Sequence, residues 1–275
     1  MAANATYALI ELVVNAIDCN VYIDSVTQIG ATTSYTIATT NTKWLNVNRT
    51  FTIGGEDYLV TDITPNTSFV ITIDTQSVPT VTSFLLPLPA FVHGTLIAMN
   101  NERTEENTSV SAYKGMTPFI YFNEPSIDTK FPQEESAIDR ESNCEIYFMH
   151  EADFENWTNE KHYYYCINAM ENLIASFIQA AKNSQYVGEF ENYDSESHVK
   201  WGVVTSNGHS KNLFNENLSG KKLSITLPFM KMGCDFNAYD APSTGGAIDL
   251  VINFNGSEYF NQEITEDTTI NIVYN

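Results

Sequence analysis

His93-Gly94-Thr95 sits in the stretch PLPAFVHGTLIAMNNERT, residues 87–104, where a histidine beside a hydroxyl invites a reading as catalysis. A nucleophilic triad needs a hydroxyl on a sharp turn, a base beside it and an acid to orient the base. No G-x-S-x-G pattern and no suitably placed acid accompany His93, so it reads as a structural turn. His150-Glu151 and His162 flank a predicted helix start but lack the H-E-x-x-H spacing that puts two imidazoles on one helical face around zinc. Glu189, Glu191, Asp194, Glu196 and His198 space carboxylates as calcium loops do, yet the glycine and closing glutamate of an EF-hand are missing, and a solvated loop is expected. The segment 206–212 holds a single Lys211, and no phosphate-cradling glycine pattern occurs anywhere. Trp44, Trp157 and Trp201 offer flat faces to sugars, but single tryptophans in strand-rich chains are more often core residues. Cys19, Cys144, Cys166 and Cys234 form no C-x-x-C pair and read as reduced, mostly buried thiols. The sequence therefore assigns no catalytic residue, no cofactor-binding residue, no metal ligand and no cofactor. A protein that is not an enzyme is expected.

The elements that hold these residues follow from periodicity. Leu9, Ile10, Val13, Val14 and Ile17 recur at helical spacing, so residues 1–19 are expected to form an N-terminal helix or arm. From 20 to 88 threonine and β-branched residues dominate. In TFTIGGEDYLV, Gly54-Gly55 makes a two-residue hairpin turn that places Phe51 opposite Tyr58. TSYTIATT and SFVITIDT are further strands, and 20–88 is expected to be a small all-β barrel or sandwich of about five short strands. Pro87 and Pro89 end that run, TLIAMN is expected to pair briefly, and NNERTEENTS is expected to be a surface loop.

Residues 89–275 read as a sheet–helix domain. TPFIYFNE and NCEIYFM are aromatic-rich strands joined by a long acidic loop. Tyr163, Ile167, Met170, Ile174, Phe177, Ile178 and Ala181 mark one face of the chain's strongest helix, with Thr158 as N-cap and Asn183 near its end. KKLSITLPFM turns Leu223, Ile225, Leu227 and Phe229 to one face. Asn255-Gly256 is a second hairpin turn, within a C-terminal meander. The fold class is α+β: an antiparallel or mixed sheet packed by one long helix, with the β module near the N-terminus.

Composition narrows the function. Thirteen basic residues against 34 acidic ones give a net charge of −21, a surface that repels phosphate and argues against specific nucleic-acid binding. Hydrophobic residues at 43% support a real core rather than disorder. No apolar run approaches the ~20 residues that cross a bilayer, so no membrane association is expected. The first residues lack a basic n-region and carry Glu11 and Asp18, so no signal peptide is expected and folding in a cytoplasm is. Seven N-x-S/T triplets are about what 28 asparagines among 49 serines and threonines produce by chance, and carry no signal.

Taken in order, TFTIGGEDYLVTDI, PAFVHGTLIAMNNE, TPFIYFNEP, NCEIYFM with the following helix, and KNLFNENLSGKKLSITL resemble a family of virion proteins from tailed phages of Bacteroidetes hosts, crAss-like phages included. These segments lie between residues 45 and 228. The resemblance implies a structural subunit of the neck or tail, of ring, tail-completion or tail-terminator type, with no catalytic residues. It implies self-assembly into a ring in the head-to-tail conduit, with other neck or tail proteins and the portal as partners and DNA passing nearby. The expected location is the virion, after synthesis in the host cytoplasm. A competing expectation is a carbohydrate-binding or adhesin-like β-rich module.

Overall fold

The apolar stripe at the N-terminus does fold as a helix, α1 (Thr6–Asn15). In this computed structural model the described residues are 5–97, 99, 118–130, 138–206, 209–212, 217–230, 248–254 and 257–264. For 125–127, 204–206, 209–212, 248–254 and 257–264 only the backbone is described. Leu9, Ile10, Val13, Val14 and Ile17 are all buried, as their spacing predicts. The chain forms two compact units, Met1–Met230 and Lys231–Asn275.

After α1 come β1 (Asn20–Tyr22), β2 (Ser25–Gln28), β3 (Ser34–Ala38), β4 (Thr50–Ile53), β5 (Glu56–Thr64), β6 (Ser68–Thr72) and β7 (Ser83–Leu85). β4 and β5 pair around Gly54 (φ 63°) and Gly55 (φ 91°), and Phe51 stands opposite Tyr58. Glycine is favoured at both turn positions because φ is positive. The five strands order as β2-β3-β6-β5-β4, with β1 and β7 as a separate ribbon. This is an open sheet: β2 and β4 are its edges among the described residues, where a closed barrel or sandwich was expected. The physical reason is what covers its inner face. Ile37, Ile53, Tyr58, Val60, Phe69 and Ile71 join the same core as α1, and the loop after β3 adds Trp44 and Leu45 to it. The sheet buries its apolar side without having to close on itself.

β8 (Ala90–Gly94) runs parallel to β9 (Phe119–Lys130). The segment that holds His93 is thus an edge strand of the second sheet. In TLIAMN, where brief pairing was expected, Leu96, Ile97 and Met99 are helical. β10 (Ile138–Glu151) begins within the expected acidic loop, so residues 138–141 belong to a strand and 131–137 lie outside the described residues. The surface loop expected at 100–109 also lies outside them.

The long helix, α2, has three consecutive segments: Asn159–His162, a π turn at Tyr163–Ile167, and Asn168–Asn183. Thr158 caps it, its side chain accepting from the Lys161 N–H. Ile167, Met170, Ile174, Phe177, Ile178 and Ala181 are buried as the period predicts. Tyr163 is not; it is 45% exposed. The π turn inserts an extra residue in one turn and shifts the helical phase, so His162 points inward and Tyr163 outward.

β11 (Tyr193–Trp201), β12 (Val203–Ser206), β13 (His209–Asn212) and β14 (Leu218–Met230) follow. The second sheet is mixed, in the order β11-β14-β10-β9-β8. Its inner face brings Ile120, Phe122, Cys144, Ile146, Phe148, Leu223, Ile225, Leu227 and Phe229 into the core with α2. That core is shared with the 20–88 strands. Gly220 is fixed by close approach: a Cβ there would fall on the Phe148 carbonyl oxygen and lie 2.9 Å from the Met149 Cα. In the second unit, β15 (Ile248–Phe254) and β16 (Ser257–Ile264) pair as a hairpin with Phe254 opposite Ser257. The turn expected at 255–256 itself lies outside the described residues.

Candidate functional site

The residues singled out for chemistry are scattered by the fold. His93 stacks on Tyr7 at 4.0 Å and lies 3.6 Å from the Glu124 carboxylate. Glu151 pairs with Arg49 at 2.8 Å, tying the second sheet to the 20–88 strands. Asp194, Glu196 and His198 lie on β11, so the expected acidic loop is in part an edge strand; Glu189 and Glu191 precede it. Only the backbone of Lys211 is described, on β13. Cys234 lies outside the described residues. Trp44 is buried with its indole N–H donating to the Pro87 carbonyl, and Trp157 packs half-buried against the core. Trp201 stacks on Tyr147, 4.9 Å between centroids.

Beneath the π turn the fold assembles a buried polar cluster that spacing does not announce. Ser219 Oγ lies 3.0 Å from His162 Nδ1 and accepts from the Lys200 backbone N–H at 3.0 Å. The Cys166 thiol donates to the Ser219 carbonyl at 3.0 Å, and His150 Nδ1 lies 2.8 Å from the Glu151 carbonyl. A hydroxyl against an imidazole has the composition of a nucleophile and base. Here both residues have zero exposure, so the pair is internal to the core and presents nothing to a substrate. Burial penalises the charged imidazole: His150 is pushed down to about 4, and His162 is lowered as well. The same burial raises the Cys166 thiol and pushes Cys144 up to about 12, so neither is a reactive thiolate.

The outer face of the second sheet is different. Strand alternation turns Asn143, Glu145 and Tyr147 of β10 away from the core, with Lys222, Ser224 and Thr226 beside them on β14. Lys222 sits between Glu196 at 3.2 Å and Glu145 at 3.6 Å. Partial burial works against its charge, but the two carboxylates outweigh this and its pKa is raised. His198 is lowered, chiefly by burial, despite Glu196 beside it. Burial and Glu145 raise the Tyr147 phenol.

At this face a cleft of about 510 Å³ opens, lined by Asn123, Asn143, Glu145, Tyr193, Ser224 and Thr226 among others. Its side chains hold one another in place: Asn123 Nδ2 donates to Glu145 Oε2 at 3.1 Å, and the Thr226 hydroxyl donates to Asn143 Oδ1. Motif reading missed this cleft because its residues come from four strands distant in sequence. The available signal was the polar alternation of NCEIYFM and KKLSITLPFM opposite their apolar positions.

The chain matches no protein family, no curated protein and no solved structure.

Proposed function

We propose that the chain is a structural subunit of a bacteriophage neck or tail, located in the virion. It assembles with copies of itself into a ring on the path of DNA between head and tail, and contacts other neck or tail proteins and the portal. One observation carries the assembly part of this reading. Leu85, Leu88, Leu96 and Ile97 are all exposed large apolar side chains within one short segment, Leu85 at 66% and Ile97 at 75%. Tyr22, on the ribbon strand paired with β7, is 60% exposed. Scattered exposed apolar residues are ordinary, but a run of them on a chain of charge −21 is what a protein–protein contact covers. The segment resemblance supplies the phage setting. The acidic excess suits a conduit, since carboxylates near the duplex repel phosphates and leave it mobile.

The test is composition and imaging of particles. Washed virions from a culture producing this chain are expected to contain it in fixed stoichiometry, as a ring between head and tail. Absence of the chain from purified particles would overturn the proposal.

A further inference from the structure

We infer that a second cleft, between α1, α2 and the loop after β3, is a binding site for a small zwitterion, a free α-amino acid, a function separate from assembly. The cleft holds about 320 Å³, at the small end of the ~300–1,000 Å³ typical of small-molecule sites. Ala16, Ala175 and Ala180 line it and keep it open. Asn172, Ser176, Gln179 and Asn183 recur at helical spacing and give it one polar face of α2. Two of the four described non-glycine residues with positive φ line it as well, Lys43 at 47° and Asn66 at 53°. Such backbone is unfavourable for lysine and persists only where the surroundings hold it, as they do at functional sites. Here the Lys43 N–H donates to Asn41 Oδ1 at 2.7 Å, and Asn172 Nδ2 donates to the Lys43 carbonyl at 2.9 Å.

Charge narrows the ligand. Lys43 is 6% exposed, and its ammonium donates to the Asp18 carboxylate at 2.7 Å and to the Asp18 carbonyl. An ammonium has three donors, so one is left for an incoming carboxylate. The side-chain amides of Asn41 and Asn183 accept through their oxygens and keep their N–H groups for the same carboxylate. Asp18 stays ionised: burial works against its charge, but bonds from Lys43 and Asn20 outweigh burial and hold its carboxyl at about 2. Its side chain is 60% exposed, open to an ammonium. Both α1 and α2 end at this cleft, at Ala16 and Asn183, and the partial negative charge of two helix C-termini favours the same ammonium. A phosphate would meet Asp18 and those C-termini. An apolar ligand would strand the amides without partners, and a ring would find no aromatic side chain in the lining to stack on. An amino acid carries its two opposite charges on one carbon, which matches the adjacent Lys43 and Asp18.

Calorimetry and saturation-transfer NMR with the full chain test this, using glycine, alanine, serine, asparagine and glutamine. N-acetylglutamine, which lacks the ammonium, and glutamine amide, which lacks the carboxylate, are the matched controls. Binding of at least one free amino acid is expected, with both blocked forms weaker. Ala175→Leu fills the cleft from an exposed helical position and should abolish binding while leaving the melting temperature near that of the wild type. Gln179→Ala and Asn183→Ala should each weaken binding roughly fivefold, the loss of one hydrogen bond. No binding by any of the five amino acids would overturn the inference. So would blocked forms that bind as tightly as glutamine, or binding unchanged in both Ala175→Leu and Gln179→Ala. Ala175→Leu should still enter particles at wild-type levels, so loss of ligand binding and loss of assembly are read separately.

Discussion

The rings of Phe148 on β10 and Phe177 on α2 meet edge to face, with centroids 5.7 Å apart and planes at 70°. This contact ties the long helix to the middle of the second sheet, and neither ring is exposed. Phe177→Ala removes the ring and leaves a cavity that a close-packed interior cannot refill, at a cost of about 3–5 kcal/mol. Denaturant unfolding should show the loss as a lower midpoint with an unchanged slope. Phe177→Asp should cost more, because it buries an unpaired charge.

Gly220 is expected to tolerate no side chain. Alanine there would push against the Phe148 carbonyl and Met149 across the strand pair, so Gly220→Ala should destabilise by at least ~1–3 kcal/mol, the usual cost of overpacking. Gly55→Ala is the matched control: its Cβ would meet nothing within 4 Å, and only its positive φ is penalised. A smaller loss of melting temperature in Gly220→Ala than in Gly55→Ala would contradict the close approach.

Stability should fall on mild acidification. His150 is held neutral at about 4 when folded, below its ordinary 6.5, so the unfolded chain binds more protons between these values. Its contribution is complete above pH 6.5 and is lost as pH falls toward 4, about 3 kcal/mol in all. His162, lowered in the same direction, adds to the trend. Unfolding free energies measured at pH 7.5 and pH 5 should differ accordingly, and the difference should shrink in His150→Gln.

If the exposed apolar residues serve the proposed assembly, they should be dispensable for folding. Leu85→Ser with Ile97→Ser should leave the melting temperature within the range of ordinary surface changes, about ±0.5 kcal/mol, yet sharply reduce incorporation into particles. Full incorporation of the double variant would remove the contact surface from the assembly proposal.

The isolated chain should not bind duplex DNA at 0.15 M salt. With a net charge of −21 and a screening length of about 8 Å, the acidic surface repels the backbone at contact range. Micromolar, salt-sensitive binding in a mobility assay would count against the conduit reading.

Local patterns decide a good deal of this protein. The stripe of Leu9, Ile10, Val13, Val14 and Ile17 specifies α1 because one helical face must be buried. Gly54-Gly55 specifies a hairpin and its register because few turns permit two positive φ values, and Phe51 then has to face Tyr58. Leu223, Ile225, Leu227 and Phe229 alternate because a strand has a period of two, and all four point into the core. Each of these depends on neighbours within a few residues. Tertiary structure decided the rest. The phase of α2 at Tyr163 depends on a π turn that no apolar period reveals. The first sheet stays open because α1, the loop bearing Trp44 and the second sheet share its core, a matter of contacts between segments far apart in the chain. The polar cluster of His162, Cys166 and Ser219 joins α2 to β14, and the cleft joins residues from Asn123 to Thr226. Side chains so distant in sequence carry no mutual spacing to read, and only the packing of the strands brings them together.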